Sequence, residues 1–440
     1  MRNWFFCAVI FVVVLSFPLA SQDMMLIPMD LQQSEHLKAY GIAYMALEKE
    51  IDVDWLLNYR GGSFLMQYHE VIARENRIRN VTYERISGTQ AAQIYAEVQA
   101  EDSNMDVVRC EVPPKIAVYI PPGYQPWDDA VTLALEYAEI PYEQVFNEEV
   151  LNGEIYEYDW LHLHHEDFTG QYGKFYASYS NAPWYIEQVR KYETIAAELG
   201  FDKVSEMKLA VALEIREYIA SGGFVFAMCS ATDTFDIALA AKQVDIVDVM
   251  YNGTPPDPNF NDNLDFSQTL VFENFEVEEN PLRYEYSNID IPPTDQGPSV
   301  PREADYFTLF EFSAKHDPIP TMLTQNHVNV ISGFMGQTTN FDEQFIKPHI
   351  IQMAKREGSQ EVKYIHGQHG RGTFTFYGGH DPEDYQHAVG DPPTDLSLYP
   401  NSPGYRLILN NVLFPAARPK PQKTDVFDAD TIFPLIGDAQ

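Results

Sequence analysis

The chain has 440 residues, 45% of them hydrophobic and 21% charged, a globular composition long enough for one large domain or two ordinary ones. Its 65 acidic against 29 basic residues give a formal net charge of −36. That excess excludes the basic patches that nucleic acid requires, disfavours anionic lipid, and fits a soluble, self-repelling surface.

The amino end reads as an export signal over residues 1–21. Arg2 precedes WFFCAVIFVVVLSF (residues 4–17) and then PLASQ. The uncharged run has the length of a signal-peptide core and falls short of a bilayer span. Cys7 lies inside the run, which does not suit lipid attachment. Cleavage after Ala20 or Ser21 would remove Arg2, take the net charge to −37, and place the chain in the periplasm or outside the cell. Cys110 and Cys229 would remain, free to pair in an oxidising compartment. No other stretch is long and apolar enough to cross a membrane.

Residues 22–110 form an N-terminal α/β segment. MMLIPM is a short strand, and SEHLKAYGIAYMALEKE puts Leu37, Tyr40, Tyr44 and Leu47 on one helical face. DVDWLLNY is a strand that turns at RGGSF, and VTYERIS then TQAAQIYAEVQA repeats the strand–helix order. Arg60 beside Gly61 and Gly62 is a candidate anion ligand, or part of a plain turn.

Residues 111–425 form the main α/β domain. KIAVYIP is a buried strand of the parallel type, broken at Pro121, Pro122 and Gly123. WDDAVTLALEYAEI is a helix, YEQVF and YDWLHLH are strands, and SEMKLAVALEIREYIASGG is a helix stopped by Gly222 or Gly223. FVFAM is a central strand, and TDTFDIALAA starts the next helix with Thr232 or Asp233 as its cap. Strands alternating with helices predict a mostly parallel sheet. NGTPPDPNFNDN and IDIPPTDQGPSVPREAD, with YFTLFEF after them, mark an insertion of about 245–360 over the sheet's edge. GTFTFYGGH is the last strand, GYRLILNNVLF the last helix, and 426–440 a flexible tail.

Three stretches carry chemistry. The strand FVFAM ends at Cys229 with small residues two positions either side, Ala227 and Ala231. A strand–nucleophile–helix turn would lift the thiol above the sheet, aim the Ser230 amide at an oxyanion, and lower the thiol pKa through the helix N-terminus. The other reading of Cys229 is a small core residue. In GGHDPEDYQH, His380 follows a strand and could act as base, with Asp381 or Glu383 orienting it; the plainer reading is a turn histidine bonded to Asp381. In HLHHEDF, His164, His165, Glu166 and Asp167 gather at a strand's carboxyl end. They read as polar residues lining a substrate site, or, through His164, His165 and Glu166, as metal ligands. His366 and His369 in YIHGQHGRG read as a solvated loop. The aromatics of FTGQYGKFYASYSNAPWY (168–185) offer a platform for sugars or apolar partners, or simply core.

The pairing of Gly-Gly–strand–Cys with a later strand ending in His-x-Pro-Glu resembles the class I glutamine amidotransferase-like superfamily. The resemblance implies a flavodoxin-like, mostly parallel sheet with an N-terminal α/β extension and a long insertion before the last strand. It also implies Cys229 as nucleophile, His380 as base and Glu383 as orienting acid. The segment His-Asp-Pro-Glu is one residue longer than the usual form, so Asp381 remains a competitor. Amidotransferases end the HLHHEDF strand in glycines that build an oxyanion hole, and this chain departs from that pattern.

Over residues 25–425, IPMD…HLKAYGIAY, DWLLNYRGGSF, YDWLHLHHEDFTGQYG, FAMCSATDTFDIALAA, MLTQNH, GFMGQTT and FYGGHDPEDYQHAVGDPPTDL…NSPGYRLILNNVLFPA look like an exported bacterial family that goes under the label asparagine synthetase B. Motifs for that synthesis are missing. The synthetase has cysteine as its first mature residue, where this chain begins Met-Arg. Its ATP-pyrophosphatase loop has no counterpart, since Ser221-Gly222-Gly223 runs into Phe224 and Val225. The expected function is therefore an exported Cys–His thiol hydrolase or amidase acting on an amide or ester. Its ligand would be a small molecule, glycan or peptide, and it would need no cofactor, nucleic acid or membrane span. The alternatives are a non-catalytic module binding a glycan or an envelope partner, and a metal hydrolase.

Overall fold

The computed structural model describes residues 23–121, 129–291, 300–319, 321–324 and 328–417. The export signal and the tail read from the sequence lie outside them.

The N-terminal unit runs β1 (Met24–Ile27), α1 (His36–Glu48), β2 (Val53–Leu57), β3 (Ser63–Gln67), α2 (Glu70–Ile78), β4 (Glu84–Ile86), α3 (Gly88–Val98) and β5 (Asp106–Cys110). Its five strands lie in the order β4-β1-β3-β2-β5, every neighbouring pair antiparallel. The first four strands form a split βαβ arrangement: α1 and α2 each connect strands two places apart, and the gap is filled antiparallel. Alternation along the strands sends Trp55, Phe64 and Met66 toward α1, and Leu26, Leu56 and Leu65 toward α3.

The chain then continues through β6 (Ile116–Tyr119), α4 (Ala130–Ala138), β7 (Glu143–Val145), α5 (Asn147–Leu151), β8 (Trp160–Leu163), α6 (Tyr176–Tyr179), α7 (Pro183–Glu198), α8 (Val204–Ser221), β9 (Phe224–Met228) and α9 (Ser230–Ala240). After α10 (Val249–Asn252) come β10 (Tyr306–Leu309), α11 (Thr321–Thr324), β11 (Val330–Ser332), β12 (Phe341–Asp342), β13 (Ile351–Lys355), β14 (Glu361–His369), β15 (Gly372–Tyr377) and α12 (Pro403–Leu413). The second sheet has the order β11-β10-β13-β14-β15-β9-β8-β6-β7, with β12 on β14.

This arrangement corrects the expectation of a mostly parallel, flavodoxin-like sheet. The pairings β7–β6, β6–β8, β8–β9 and β9–β15 are parallel. Every pairing from β15 outward to β11 is antiparallel, as is β12 on β14. The second sheet is therefore mixed and the first wholly antiparallel. The reason lies in the connections: parallel neighbours need a crossover of a dozen or more residues, usually a helix. Helices longer than one turn join β6 through β9, whereas α11, of four residues, is the one α-helix described between β10 and β15. The inserted segment does not merely cover the edge but adds strands to the sheet, the last of them by short connections: β13 to β14 and β14 to β15. β14 carries YIHGQH as strand, with His366 buried against Thr375 and not on a solvated loop.

The two sheets share a core. α1 packs on α4 and α12, and apolar side chains from β1, β2 and β3 continue into those of α4, α12 and one face of the second sheet. The opposite face is covered by α5, α7, α8, α9 and the inserted loops. Among the described residues, no helix is long and apolar enough to cross a membrane.

Candidate functional site

The carboxyl ends of adjacent parallel strands converge on one place. β9 lies between β8 and β15, and β6 lies beyond β8. Cys229 therefore stands at the end of β9 between His164 and His165, which follow β8, and His380, which follows β15. Asp129 starts α4, the helix after β6.

Cys229 is the turn between β9 and α9, at φ 53° and ψ −140°. A non-glycine residue in that region is strained by about 1–3 kcal/mol, and such strain gathers at functional sites. The helix begins at Ser230, directly after the cysteine, and not at the Thr232–Asp233 cap expected from the sequence. The Cys229 sulfur accepts the Gln337 backbone N–H at 3.3 Å, and the Thr338 and Ser230 amides also turn toward it. Burial outweighs these donors and pushes the thiol up to about 11, so the helix N-terminus does not produce the thiolate the sequence suggested. No disulfide joins Cys229 to Cys110; both are buried free thiols.

Gln337 belongs to the turn after Phe334, which the inserted segment lays across the site. Met335 accepts the His380 N–H at 2.9 Å, and Thr338 Oγ1 donates to Asp233 on α9 at 2.8 Å. Gly336 permits this approach: a Cβ there would lie 2.8 Å from the His380 nitrogen. Gly379, at φ +88°, turns the chain into His380 and leaves no room for a side chain against Phe334.

A cavity of about 330 Å³ opens here, lined among others by Cys229, His165, His380, His387, Tyr284 and Gln337. The imidazoles pack face to face around it. His380 stacks on His387 with ring centres 4.5 Å apart, and His164 and His165 lie 4.5 Å and 5.4 Å from His380. Burial, and then the neighbouring rings, hold His165 and His380 well below the usual histidine range. Asp129 is buried, which alone would raise its carboxyl, but His164 and His162 beside it hold it well below the usual range. One oxygen of Asp129 caps α4 through the Val131 and Thr132 amides; the other lies 3.0 Å from His164 Nδ1 and 3.2 Å from His162 Nε2.

Other sequence-selected residues stand apart from the cavity. Glu166 is buried in an ion pair with Lys208 at 3.0 Å, and Asp167 ties down its own loop through Thr169 and Gly173. Asp381 accepts the Glu383 and Asp384 amides of its own turn, and Glu383 bonds with Ser402. Neither carboxylate pairs with His380, whose Nδ1 has no hydrogen-bond partner among the described residues. Arg60 is held by Asp30 and Glu84 at 2.8 and 2.7 Å in the turn between β2 and β3. The aromatic stretch is divided between core and site: Tyr172 and Tyr185 are buried, while Phe175 and Tyr179 line the cavity.

Two residues were missed in the sequence reading. His387, three positions beyond Asp384 in the stretch already quoted, bonds that carboxylate through Nδ1 at 2.8 Å. Asp129 could be read only as a helix cap, because its partners are distant in sequence. A larger cleft, about 710 Å³, lies at the other end of the parallel strands, by Gly222 and Gly372; it contains no cysteine.

No family model and no curated protein matches the chain. Among solved structures, it is similar to the cytoplasmic protein STM3548 from Salmonella typhimurium, at 10% identity and a TM-score of 0.34, covering 69% of this chain and 99% of that one. A second cytoplasmic protein, STM1381 from Salmonella typhimurium LT2, gives 11%, 0.31, 69% and 100%. Gan42B, a GH42 beta-galactosidase, gives 10%, 0.27, 61% and 28%. Likenesses of this size carry no functional argument.

Proposed function

We propose that the protein is a thiol hydrolase of amides or esters, with Cys229 as nucleophile. The observation that carries the reading is the strained backbone of Cys229, which presents its sulfur to a cavity containing imidazoles. A core cysteine gains nothing from a positive φ, whereas a nucleophile on a sharp turn needs one.

His387 suits the role of base better than His380, because a carboxylate stands behind it at 2.8 Å. The resting thiol is neutral, so attack and proton transfer are coupled. The Cys229 proton passes to His387 as the sulfur–carbon bond forms, and the carbonyl oxygen takes the electron pair. Amides turned toward the sulfur, Ser230, Gln337 and Thr338, supply donors for that oxyanion. Collapse expels the amine or alcohol, which receives the proton from the imidazolium. Water then attacks the thioester by the reverse route and regenerates the thiol.

The resemblance to amidotransferases supports the thiol chemistry, not glutamine as substrate. The export signal expected from the sequence would, on this reading, place the substrate outside the cytoplasm. The test is acyl trapping: an activated ester such as p-nitrophenyl acetate is added, and intact mass followed by peptide mapping locates the adduct. The expected result is one acetyl on Cys229 in the wild type, none in Cys229→Ala, and a trapping rate lowered about 100-fold in His387→Gln. No adduct on Cys229, or a rate unchanged in His387→Gln, overturns the assignment.

A further inference from the structure

Proton transfer at Cys229 occupies His387 and leaves a second set of groups unused: His165 and His380 line the same cavity, and His164 packs against both. His164, His165 and His380 each place a ring nitrogen so that the three lie within 4.8 Å of one another. His164 is 2% exposed and His380 8%, yet among the described residues both ring nitrogens of His164 and Nδ1 of His380 have no hydrogen-bond partner. Burying a polar atom without a partner is costly, so a fold rarely collects several in one place unless something occupies it. Aromatic packing alone does not explain the arrangement. His165 stacks on His380 at 12°, but the His164 ring is inclined 45° to His165 and 37° to His380, so it converges on the pair instead of extending the stack.

We propose that His164, His165 and His380 form a three-histidine site for a divalent d-block cation of the zinc class, with Asp129 fixing His164 from behind. Imidazole nitrogens are borderline donors that suit zinc and its neighbours, whereas calcium and magnesium take oxygen. A ring that offers one nitrogen to a metal usually has its other nitrogen held by a carboxylate or carbonyl. His164 approaches that form: Nδ1 lies 3.0 Å from Asp129 Oδ2, an ion-pair distance outside hydrogen-bond geometry, and Nε2 has no partner among the described residues. Tetrahedral zinc with nitrogen ligands at about 2.0–2.1 Å sets them about 3.4 Å apart, so closing on an ion takes side-chain rotation of about an ångström. The strands behind the ligands are fixed in register: β8 and β15 flank β9, paired Leu163 with Ala227 and Tyr377 with Met228. Three protein ligands leave a fourth position open, as in catalytic zinc sites.

The set differs from the one expected in the sequence. Glu166, adjacent to His165, is ion-paired with Lys208, and His380, 214 residues farther along the chain than Glu166, takes its place. The site does not rest on the thiol reaction, and its test reads binding, not turnover.

Metal-stripped full chain is titrated with Zn2+ by calorimetry, and thermal midpoints are recorded with and without the ion. The expected result is one Zn2+ per chain and a raised midpoint. His164→Ala and His380→Ala should each weaken affinity by tenfold or more, and Asp129→Asn, which keeps the helix cap, by about tenfold. Cys229→Ala should retain affinity within about threefold. Circular dichroism identifies variants that fail to fold, and the Asp129→Asn result stands if an alanine variant does. Absence of one-to-one uptake by the wild type overturns the proposal. So does affinity unchanged in folded His164→Ala and His380→Ala, or lost in His387→Gln alone, which would move the ion to the Asp384–His387–Asp391 group.

Discussion

At the scale of single residues, the conformation of Cys229 makes two substitutions informative. Alanine keeps the Cβ that makes φ 53° costly, and glycine removes it. Elsewhere in a protein, replacing alanine by glycine destabilises by loosening the unfolded chain. Here the order should reverse, with Cys229→Gly more stable than Cys229→Ala by about 1 kcal/mol in denaturant unfolding, against strain of about 1–3 kcal/mol for the native turn. Equal stabilities would mean that the turn relaxes and the sulfur is not held. Glu166 gives the complementary case. It was selected from sequence as a ligand, but its carboxylate neutralises Lys208, a fully buried lysine surrounded by Tyr119, Phe146 and Tyr192. Glu166→Gln leaves that ammonium unpaired and should cost about 3–5 kcal/mol, while Cys229 in the folded protein still traps the acyl group. Loss of trapping in a folded variant would return Glu166 to the site.

At the scale of elements, β14 offers a pH test. Burial alone pushes the His366 imidazole down to about 3. The unfolded chain binds the proton near pH 6.5, so the unfolded state carries more protons between those values. Stability from the neutral ring is full above pH 6.5 and is lost as the pH falls toward 3. His366→Gln should flatten the acid limb of a stability–pH curve over that window, read from denaturant midpoints, and change little at pH 8. The same strand shows where sequence reading stopped. KIAVYIP, FVFAM and GTFTFY are apolar runs, and they were legible because strands buried on both faces leave that pattern. YIHGQHGRG was read as loop because two histidines and three glycines hide a strand, although its partners β13 and β15 bury most of it. Parallel pairing was legible for β6 through β9, where strands alternate with helices, but not the antiparallel pairing beyond β15, because loop-rich composition does not reveal that the chain returns to the same sheet. At the site, each cluster was legible as a local group. Which members face the cavity depends on turn geometry after each strand, so His164 and His165 could not be separated from Glu166 and Asp167.

At the scale of the whole molecule, 65 acidic and 29 basic residues decide how the fold responds to salt. Exposed ion pairs such as Arg77–Glu70 and Arg85–Asp23 contribute about 0–1 kcal/mol each, and salt weakens them. The unpaired negative charge acts in the opposite direction, because most carboxylates have no cation to meet and repel one another across the surface. Raising ionic strength from about 0.01 to 0.15 M shortens the screening length from about 30 to about 8 Å, less than the spacing of many surface charges. Repulsion spread over long distances should therefore fade more than pairs in contact. The expected outcome is a thermal midpoint that rises between those two concentrations of sodium chloride, measured at pH 8 with a chelator present so that bound metal does not enter. The buried groups of the site and the shared core are shielded from the salt and should contribute little to the shift. A midpoint that falls with salt would show that contact pairs outweigh the excess charge, and that the acidity of this surface serves something other than keeping the folded molecules apart.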